Sequence, residues 1–358
     1  MTSAIETLLQ GPVYSLAEAD KTRLFEGALG ELTRHHFAQC APYRQMLTNL
    51  GFDPQASRVI ADFPFLPARL FKMLDLRSIA ATEIKRVLTS SGTSGTPSRI
   101  YLDAATAAAQ ARVLTRIVGD FIGTARLPML VIDAPSTGKS RDQLSARTAA
   151  ILGFSIFGRD ITYALAEDMS IDRPAIDAFL ERHGDRPILM FGFTSIVYRH
   201  FAASLRAEKS RLTLGKAVLI HGGGWKKLAD QAIDNAAFKA LLAETAGVTR
   251  VHNYYGLVEQ TGSIFMECDR GRFHCSNFSD ILIRGSDFSV HETGRKGLIE
   301  LVSLLPRSYP GHILLTEDEG TLLGVDDCPC GRRGRYFQVH GRVARAEVRG
   351  CSDAYASR

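Results

Sequence analysis

The stretch Leu88–Asp103 reads LTSSGTSGTPSRIYLD. Within it, Ser90, Ser91, Gly92, Thr93, Ser94, Gly95 and Thr96 offer hydroxyls and unhindered N–H groups, and almost nothing to bury. Glycine permits tight turns and close backbone approach. Successive free N–H groups in such a turn bind anions. The same composition also describes a flexible surface loop, so the choice depends on what else the chain carries. A second phosphate candidate is DAPSTGKS, Asp133 to Ser140. A nucleotide P-loop needs glycine at the position Asp133 holds. A carboxylate there would oppose a phosphate, so this stretch reads better as a polar loop after a buried strand, and Lys139 as a bystander.

Thiols offer two further chemistries. Cysteines stand at 40, 268, 275, 328, 330 and 351. ECDRGRFHC supplies Cys268 and His274, and DCPCGR supplies Cys328 and Cys330. Zn²⁺ takes four such ligands in structural sites, and two pairs from separate hairpins would staple a β subdomain. Cys275 is the alternative ligand from the first pair, and a set of buried inert thiols is the plainer reading. Cys351 lies near the C-terminus beside basic Arg349, which favours a thiolate. A thiolate is a competent nucleophile toward an activated acyl group.

The elements that must position these groups follow from hydrophobic patterning. With 358 residues, 45% of them hydrophobic, the chain is globular and long enough for two or three domains. A net charge of +5 suits an anionic substrate such as a nucleotide but is no signature of nucleic-acid binding. The start, MTSAIETLLQGPVY, does not read as a signal peptide. No apolar run is long enough to span a membrane, and sparse cysteines suit the cytoplasm. Residues 15–50 read as helical. The prolines at 64 and 67 mark an extended connection. DAATAAAQARVLTRIVGDFIG reads as a long alanine-rich helix. LPMLVID, RPILMFGF, KAVLIHGGG and TRVHNYYG read as buried strands separated by helices at 172–183, 195–207 and 226–245. That alternation predicts an α/β fold, doubly wound around a mostly parallel sheet, with ligands at the carboxyl ends of the strands. From about residue 262 short strands predict a smaller β-rich subdomain. The expected division is 1–84 (helical), 85–261 (α/β core), 262–342 (β-rich) and 343–358 (a tail carrying Cys351).

In order along the chain, four further segments join the first loop in resembling the adenylate-forming superfamily, which includes acyl-CoA ligases, luciferases of the firefly type and peptide adenylation domains. TSSGTSGTPS is similar to its phosphate loop, which normally ends Pro-Lys; Ser98 stands in place of that Lys and Arg99 follows it. NYYGLVEQTG resembles its Tyr-Gly-x-Thr-Glu segment, with Val258 for the Thr. By that resemblance Tyr255 and Gly256 border adenine, Glu259 helps bind Mg²⁺, and Tyr254 or Thr261 covers the missing hydroxyl. HGGG resembles the glycine-rich segment lining the adenine and acyl pocket, which assigns Gly222 and Gly223 to nucleotide binding. LLTEDEG resembles the ribose-binding segment, with Asp318 as the acid, and HGR the Gly-Arg junction, with Arg342 on ribose or phosphate. The resemblance covers about residues 85–345. The superfamily's large mobile C-terminal domain, with its catalytic Lys, is expected to be absent, since sixteen residues follow Arg342. Arg99, Lys226 and Arg342 are the candidate replacement cations.

Within that superfamily the FPFLPARLFK segment, the loop after it and the RGCSD tail resemble the bacterial bioluminescence acyl-protein synthetases. Phenylacetate-CoA ligase relatives carry a run similar to CPCGR. The narrower resemblance implies ATP- and Mg²⁺-dependent activation of a carboxylic, typically fatty, acid. Cys351 then accepts the acyl group and passes it to a reductase, with Glu259 and Arg342 assisting. Residues 191–195 and 221–225 are the expected acyl pocket. The alternatives are a stand-alone CoA ligase, an amide-forming adenylating enzyme, or a non-catalytic nucleotide- or acyl-binding protein.

Overall fold

The computed structural model describes residues 2–90, 96–138, 146–225 and 232–343. Three helices come first: α1 (Thr2–Gln10), α2 (Glu18–Gln39) and α3 (Ala41–Asn49). A short strand, β1 (Leu66–Pro67), and 3-10 turns occupy the proline-marked connection. An antiparallel hairpin follows, β2 (Arg86–Thr89) and β3 (Arg99–Leu102), then helix α4 (Ala104–Ile122). Asp103 caps α4 by accepting the Thr106 N–H at 2.7 Å, which fixes where the alanine-rich run begins. Five strands alternate with helices next: β4 (Leu127–Ile132), β5 (Gly158–Tyr163), β6 (Ile188–Phe193), β7 (Ala217–Gly222) and β8 (Arg250–Tyr255). The chain ends its described part in β9 (Phe265–Glu267), β10 (Phe273–His274), β11 (Ser279–Arg284), β12 (Lys296–Ser303), β13 (Ile313–Val325) and β14 (Arg335–Arg342). No helix among the described residues is long and apolar enough to cross a membrane.

The chain divides into two compact units. One joins the residues up to Phe121 with those from Gly256 onward, and the other is Ile122–Tyr255. The second unit has the expected α/β pattern: its strands run parallel in the order β5-β4-β6-β7-β8. The order turns back on itself at β4, as in a doubly wound sheet. β4, β6 and β7 are apolar runs buried almost throughout, because helices cover both faces of a parallel sheet. The register pairs Phe193 with Gly222 and Gly222 with Tyr254, so the carboxyl ends of β6, β7 and β8 lie side by side.

The first unit holds the β-rich part, in antiparallel pairs β11-β12-β13-β14-β10-β9, with β1 added in parallel to β13. The N-terminal helices belong to the same unit. α2 buries Phe25, Leu29, Leu32 and His36 at helical spacing. Its polar positions then reach residues some 270 places on: Thr33 Oγ1 lies 3.1 Å from His312 Nε2, and His36 Nε2 lies 3.1 Å from the Pro306 carbonyl. These long-range bonds make the unit discontinuous in sequence.

Candidate active site and thiol cluster

In the first unit, the β2–β3 hairpin closes the glycine-hydroxyl loop. Ser98 N–H donates to Ser90 Oγ at 2.9 Å, and Ser90 N–H to the Ser98 carbonyl at 3.3 Å. Ser91 to Gly95 lie outside the described residues; Thr96 is exposed at the loop's edge. Ser98 is fully buried, and its hydroxyl donates to Glu259 Oε1 at 2.5 Å. The end of the hydroxyl loop thus meets the aromatic-acidic segment across 161 positions of sequence. Arg99 is exposed on β3.

Glu259 sits in a single 3-10 turn, 258–260, with its side chain buried. Burial pushes its carboxyl above the usual range, against the opposing pull of the Ser98 hydrogen bond and the Arg342 charge. Gln260 anchors the turn by donating to the Gly311 carbonyl at 3.0 Å. Thr261 donates to Gln110 Oε1 at 2.8 Å, so its hydroxyl is committed to α4. Gly262 follows with φ +91°, and a Cβ there would lie 2.8 Å from Gln110 Cα, so only glycine fits between turn and helix. Asp318 and Arg342 face each other in the β13–β14 register, with Arg342 Nε 3.6 Å from Asp318 Oδ1. Asp318 is buried and Arg342 reaches solvent, so the pair presents one acid and one guanidinium at the end of the hairpin, groups suited to sugar hydroxyls and phosphate.

In the second unit, the expected pocket segments lie at strand ends. Thr194 Oγ1 donates to the Gly222 carbonyl at 3.1 Å and lies 2.9 Å from His221 Nδ1, tying β6 to β7. Phe191, Phe193, Thr194 and Ser195 are buried. Tyr254 packs on Phe154 and Phe191, and its ring lies so close to Gly222 that a Cβ there would meet it at 2.5 Å. Tyr254 is therefore a packing aromatic of this unit. Tyr255 ends β8, half-buried, and Gly223 and Gly224 adopt positive φ just past β7. Asp133, the residue that spoiled the P-loop reading, is fully buried and accepts from Arg147 Nε at 2.5 Å, from Arg147 Nη2 and from Thr137 Oγ1 at 2.8 Å. Lys139, Lys226 and Cys351 lie outside the described residues.

The thiol cluster belongs to the first unit. Cys268 begins the tight turn between β9 and β10, where its carbonyl accepts the Gly271 N–H at 2.9 Å; His274 ends β10. Cys328 and Cys330 lie in the β13–β14 loop, turned by a Gly331 N–H to Cys328 carbonyl bond and a Gly331 φ of +83°. The ligand atoms of Cys268, His274, Cys328 and Cys330 all lie within 4.8 Å of one another. His274 Nε2 is 3.3 Å from Cys330 Sγ, and its Nδ1 is buried with no hydrogen-bond partner. Four ligands about 2.3 Å from a tetrahedral zinc would lie about 3.8 Å apart, so the donor set and its spacing fit Zn²⁺. Burial raises Cys268 to about 12 and lowers His274 to about 4, whereas, against its burial, hydrogen bonds from its neighbours pull the Cys330 thiol below its ordinary value; a bound cation would draw off the Cys268 proton. Cys275, the other expected ligand, is fully buried outside this cluster, its thiol held well above the ordinary value by burial.

Two features escaped the sequence reading. The Ser98–Glu259 bond had no local signal. The Thr261–Gln110–Tyr309 chain, in which Gln110 Nε2 reaches Tyr309 Oη at 3.4 Å, had only the out-of-place polar Gln110 on an apolar helix face.

A family model described as "Acyl-protein synthetase, LuxE" matches residues 2–358. The long-chain-fatty-acid–luciferin-component ligase of Vibrio harveyi is 26% identical over 357 residues, which cover 95% of this chain and 88% of that protein. The ligase of the same description from Aliivibrio fischeri is 22% identical over 334 residues, 90% of this chain and 85% of that one. Among solved structures, an open conformation of 2-hydroxyisobutyryl-CoA ligase in complex with 2-HIB-AMP and CoA is similar with a TM-score of 0.71 at 18% identity. That similarity covers 91% of this chain and 71% of the solved one, and shows the adenylate-forming ligase fold. Matched along essentially its whole length, the chain belongs to the acyl-protein synthetase family of adenylate-forming ligases.

Proposed function

We propose that this chain uses ATP to convert a fatty acid to its acyl-adenylate, takes the acyl group onto Cys351, and hands it to a cysteine of a partner reductase in the cytoplasm. The observation that carries the reading is the buried Ser98–Glu259 bond, which joins the hydroxyl loop to the one acid the chemistry needs. In the first step a carboxylate oxygen of the fatty acid bonds to the α-phosphorus of ATP, and pyrophosphate leaves. The N–H and hydroxyl groups of residues 90–96 hold the departing phosphates. Asp318 accepts from the ribose hydroxyls, Arg342 balances phosphate charge, and Tyr255 and Gly222–Gly223 border the base. A Mg²⁺ ion, if bound beside Glu259, would neutralise charge on the phosphates; a buried carboxylate whose hydrogen-bond donor is neutral suits that ion. In the second step the Cys351 thiolate attacks the acyl carbonyl, a thioester forms, and AMP departs. Cys268, His274, Cys328 and Cys330 hold a structural Zn²⁺ that closes the β13–β14 loop onto the β9–β10 turn.

Fatty-acid-dependent ATP–pyrophosphate exchange tests the first step. Its absence across a panel of chain lengths would remove the activity altogether. Intact mass after incubation with ATP and acid tests the second. The wild type should gain one acyl group, and Cys351→Ala should lose it while keeping exchange. Labelling retained by Cys351→Ala would move the acceptor elsewhere. Metal analysis of protein purified without chelator should give about one zinc per chain.

A further inference from the structure

Ser98 stands where adenylate-forming enzymes carry a lysine, and its environment gives it a defined task. Its backbone is clamped at the base of the hairpin by two hydrogen bonds with Ser90. Its side chain is fully buried, and the hydroxyl donates to Glu259 Oε1 at 2.5 Å. The other partner is equally fixed. Gln260 pins the turn to the Gly311 carbonyl, and the Glu259 carbonyl lies 2.8 Å from where a Cβ on Gly311 would be. The backbone at each end of this bond is therefore held in place. Among the described residues, the Glu259 side chain forms no salt bridge.

We propose that Ser98 is a positioning residue: its hydroxyl holds one oxygen of Glu259 so that the carboxylate is aimed to receive the Mg²⁺ that accompanies ATP. The inference rests on the ATP-dependent reading above. A lysine here would neutralise the acid and compete with the ion for it, whereas a hydroxyl orients the carboxylate and leaves its negative charge available. The chain thereby relies on the nucleotide's own metal where a lysine would otherwise supply charge.

Calorimetric titration of the full chain with ATP, without acid substrate and over a series of Mg²⁺ concentrations, tests this. In Ser98→Ala the Mg²⁺ concentration giving half of the full ATP affinity should rise about tenfold, the worth of one hydrogen bond to a charged group. ATP affinity without Mg²⁺ should stay within about twofold of wild type, since that bond touches no phosphate. Ser98→Thr, which keeps the hydroxyl, should restore the wild-type Mg²⁺ response, and Ser98→Lys should weaken it. Ser98→Cys, near in volume but a poor donor, should behave as the alanine variant and replaces it if alanine does not fold. An unchanged Mg²⁺ response in Ser98→Ala or Ser98→Cys overturns the assignment while leaving ATP binding intact. Wild-type protein that binds no ATP at any Mg²⁺ concentration overturns the ATP-dependent reading and this one with it.

Discussion

The loops at 133–140 and 90–98 are alike in composition, each rich in hydroxyls with glycine among them, and each lies beside a buried carboxylate. The two acids are answered differently. Asp133 receives both a nitrogen fork from Arg147 and the Thr137 hydroxyl, so its charge is cancelled within its own unit. Glu259 receives a hydroxyl. A third buried acid, Glu300, lies in the same unit as Glu259 and has Arg284 Nε at 2.5 Å, so neutral pairing is not a habit of that unit. Burying an ion is costly unless it is paired. A carboxylate bonded to an internal guanidinium is finished structure, and one bonded to a hydroxyl, with the Arg342 charge acting on it but no salt bridge among the described residues, is open to a cation that arrives with a ligand. Composition cannot separate the two loops; the partner of the adjacent acid does.

The sharpest way to break this contrast is to remove the cation from the finished pair. Arg147→Ala leaves Asp133 buried and uncompensated, which should cost about 3–5 kcal/mol. The melting temperature should fall by about 10 °C for a unit of this size. A fall of under about 2 °C would mean that the Arg147–Asp133 pair does not stabilise this unit. The matching change at the open acid should act on chemistry instead. Glu259→Gln keeps an acceptor for Ser98 but removes the charge, so acid-dependent pyrophosphate exchange should drop about 100-fold. The melting temperature should stay or rise, because burial already raises the Glu259 carboxyl above its ordinary value. If instead stability falls and exchange survives, Glu259 belongs with Asp133 and Glu300.

A smaller effect comes from polar groups that avoid charge altogether. Burial lowers His312 in the first unit and His221 in the second to about 3 each. An unfolded histidine titrates near 6.5. Between those values the unfolded chain binds the extra proton and the folded one does not, so stability is complete above about pH 6.5 and falls as pH drops toward 3. Each ring should contribute about 1.4 kcal/mol of loss per pH unit below 6. His312→Gln should flatten the decline in melting temperature between pH 6 and 5, and an unchanged slope would show that this ring does not set it.

How much of this was legible beforehand depended on range. Apolar runs such as LPMLVI, ILMFGF and AVLIHG announced buried parallel strands because such strands have no polar face. Cys268, His274, Cys328 and Cys330 were legible because metal ligands need fixed spacing within each turn, and three thiols with one imidazole do converge. β5 was not, since GRDITY, at the sheet edge, places the polar Arg159, Asp160 and Thr162 among its six residues with no apolar run. The discontinuous first unit was invisible for a different reason: His36 and His312 lie 276 positions apart, and their rings sit 4.9 Å from each other. Periodicity reports which face of α2 is buried and never names the partner. Ser98 shows the same limit at the site itself. Its departure from lysine was plain, but only geometry shows that its hydroxyl is spent on Glu259.

The least disruptive change bears directly on the comparison of the two loops. Lys139 completes the Gly-Lys-Ser of the 133–140 stretch, the feature that invites a phosphate reading. A P-loop lysine reaches the β and γ phosphates, so its loss would weaken ATP binding by an order of magnitude or more. Here the first residue after β4, Asp133, is an acid that Arg147 already neutralises, and nothing in that pairing calls for a second anion. Lys139→Ala should therefore change ATP affinity by less than about twofold, which is about 0.4 kcal/mol. Thr96→Ala, in the other loop, should weaken ATP binding by about fivefold, the net worth of one hydrogen bond. If Lys139→Ala proves the more damaging of the two, the phosphates sit on the loop whose acid is salt-bridged, and the rule that a buried carboxylate bonded only to a hydroxyl marks the nucleotide's place fails for this protein.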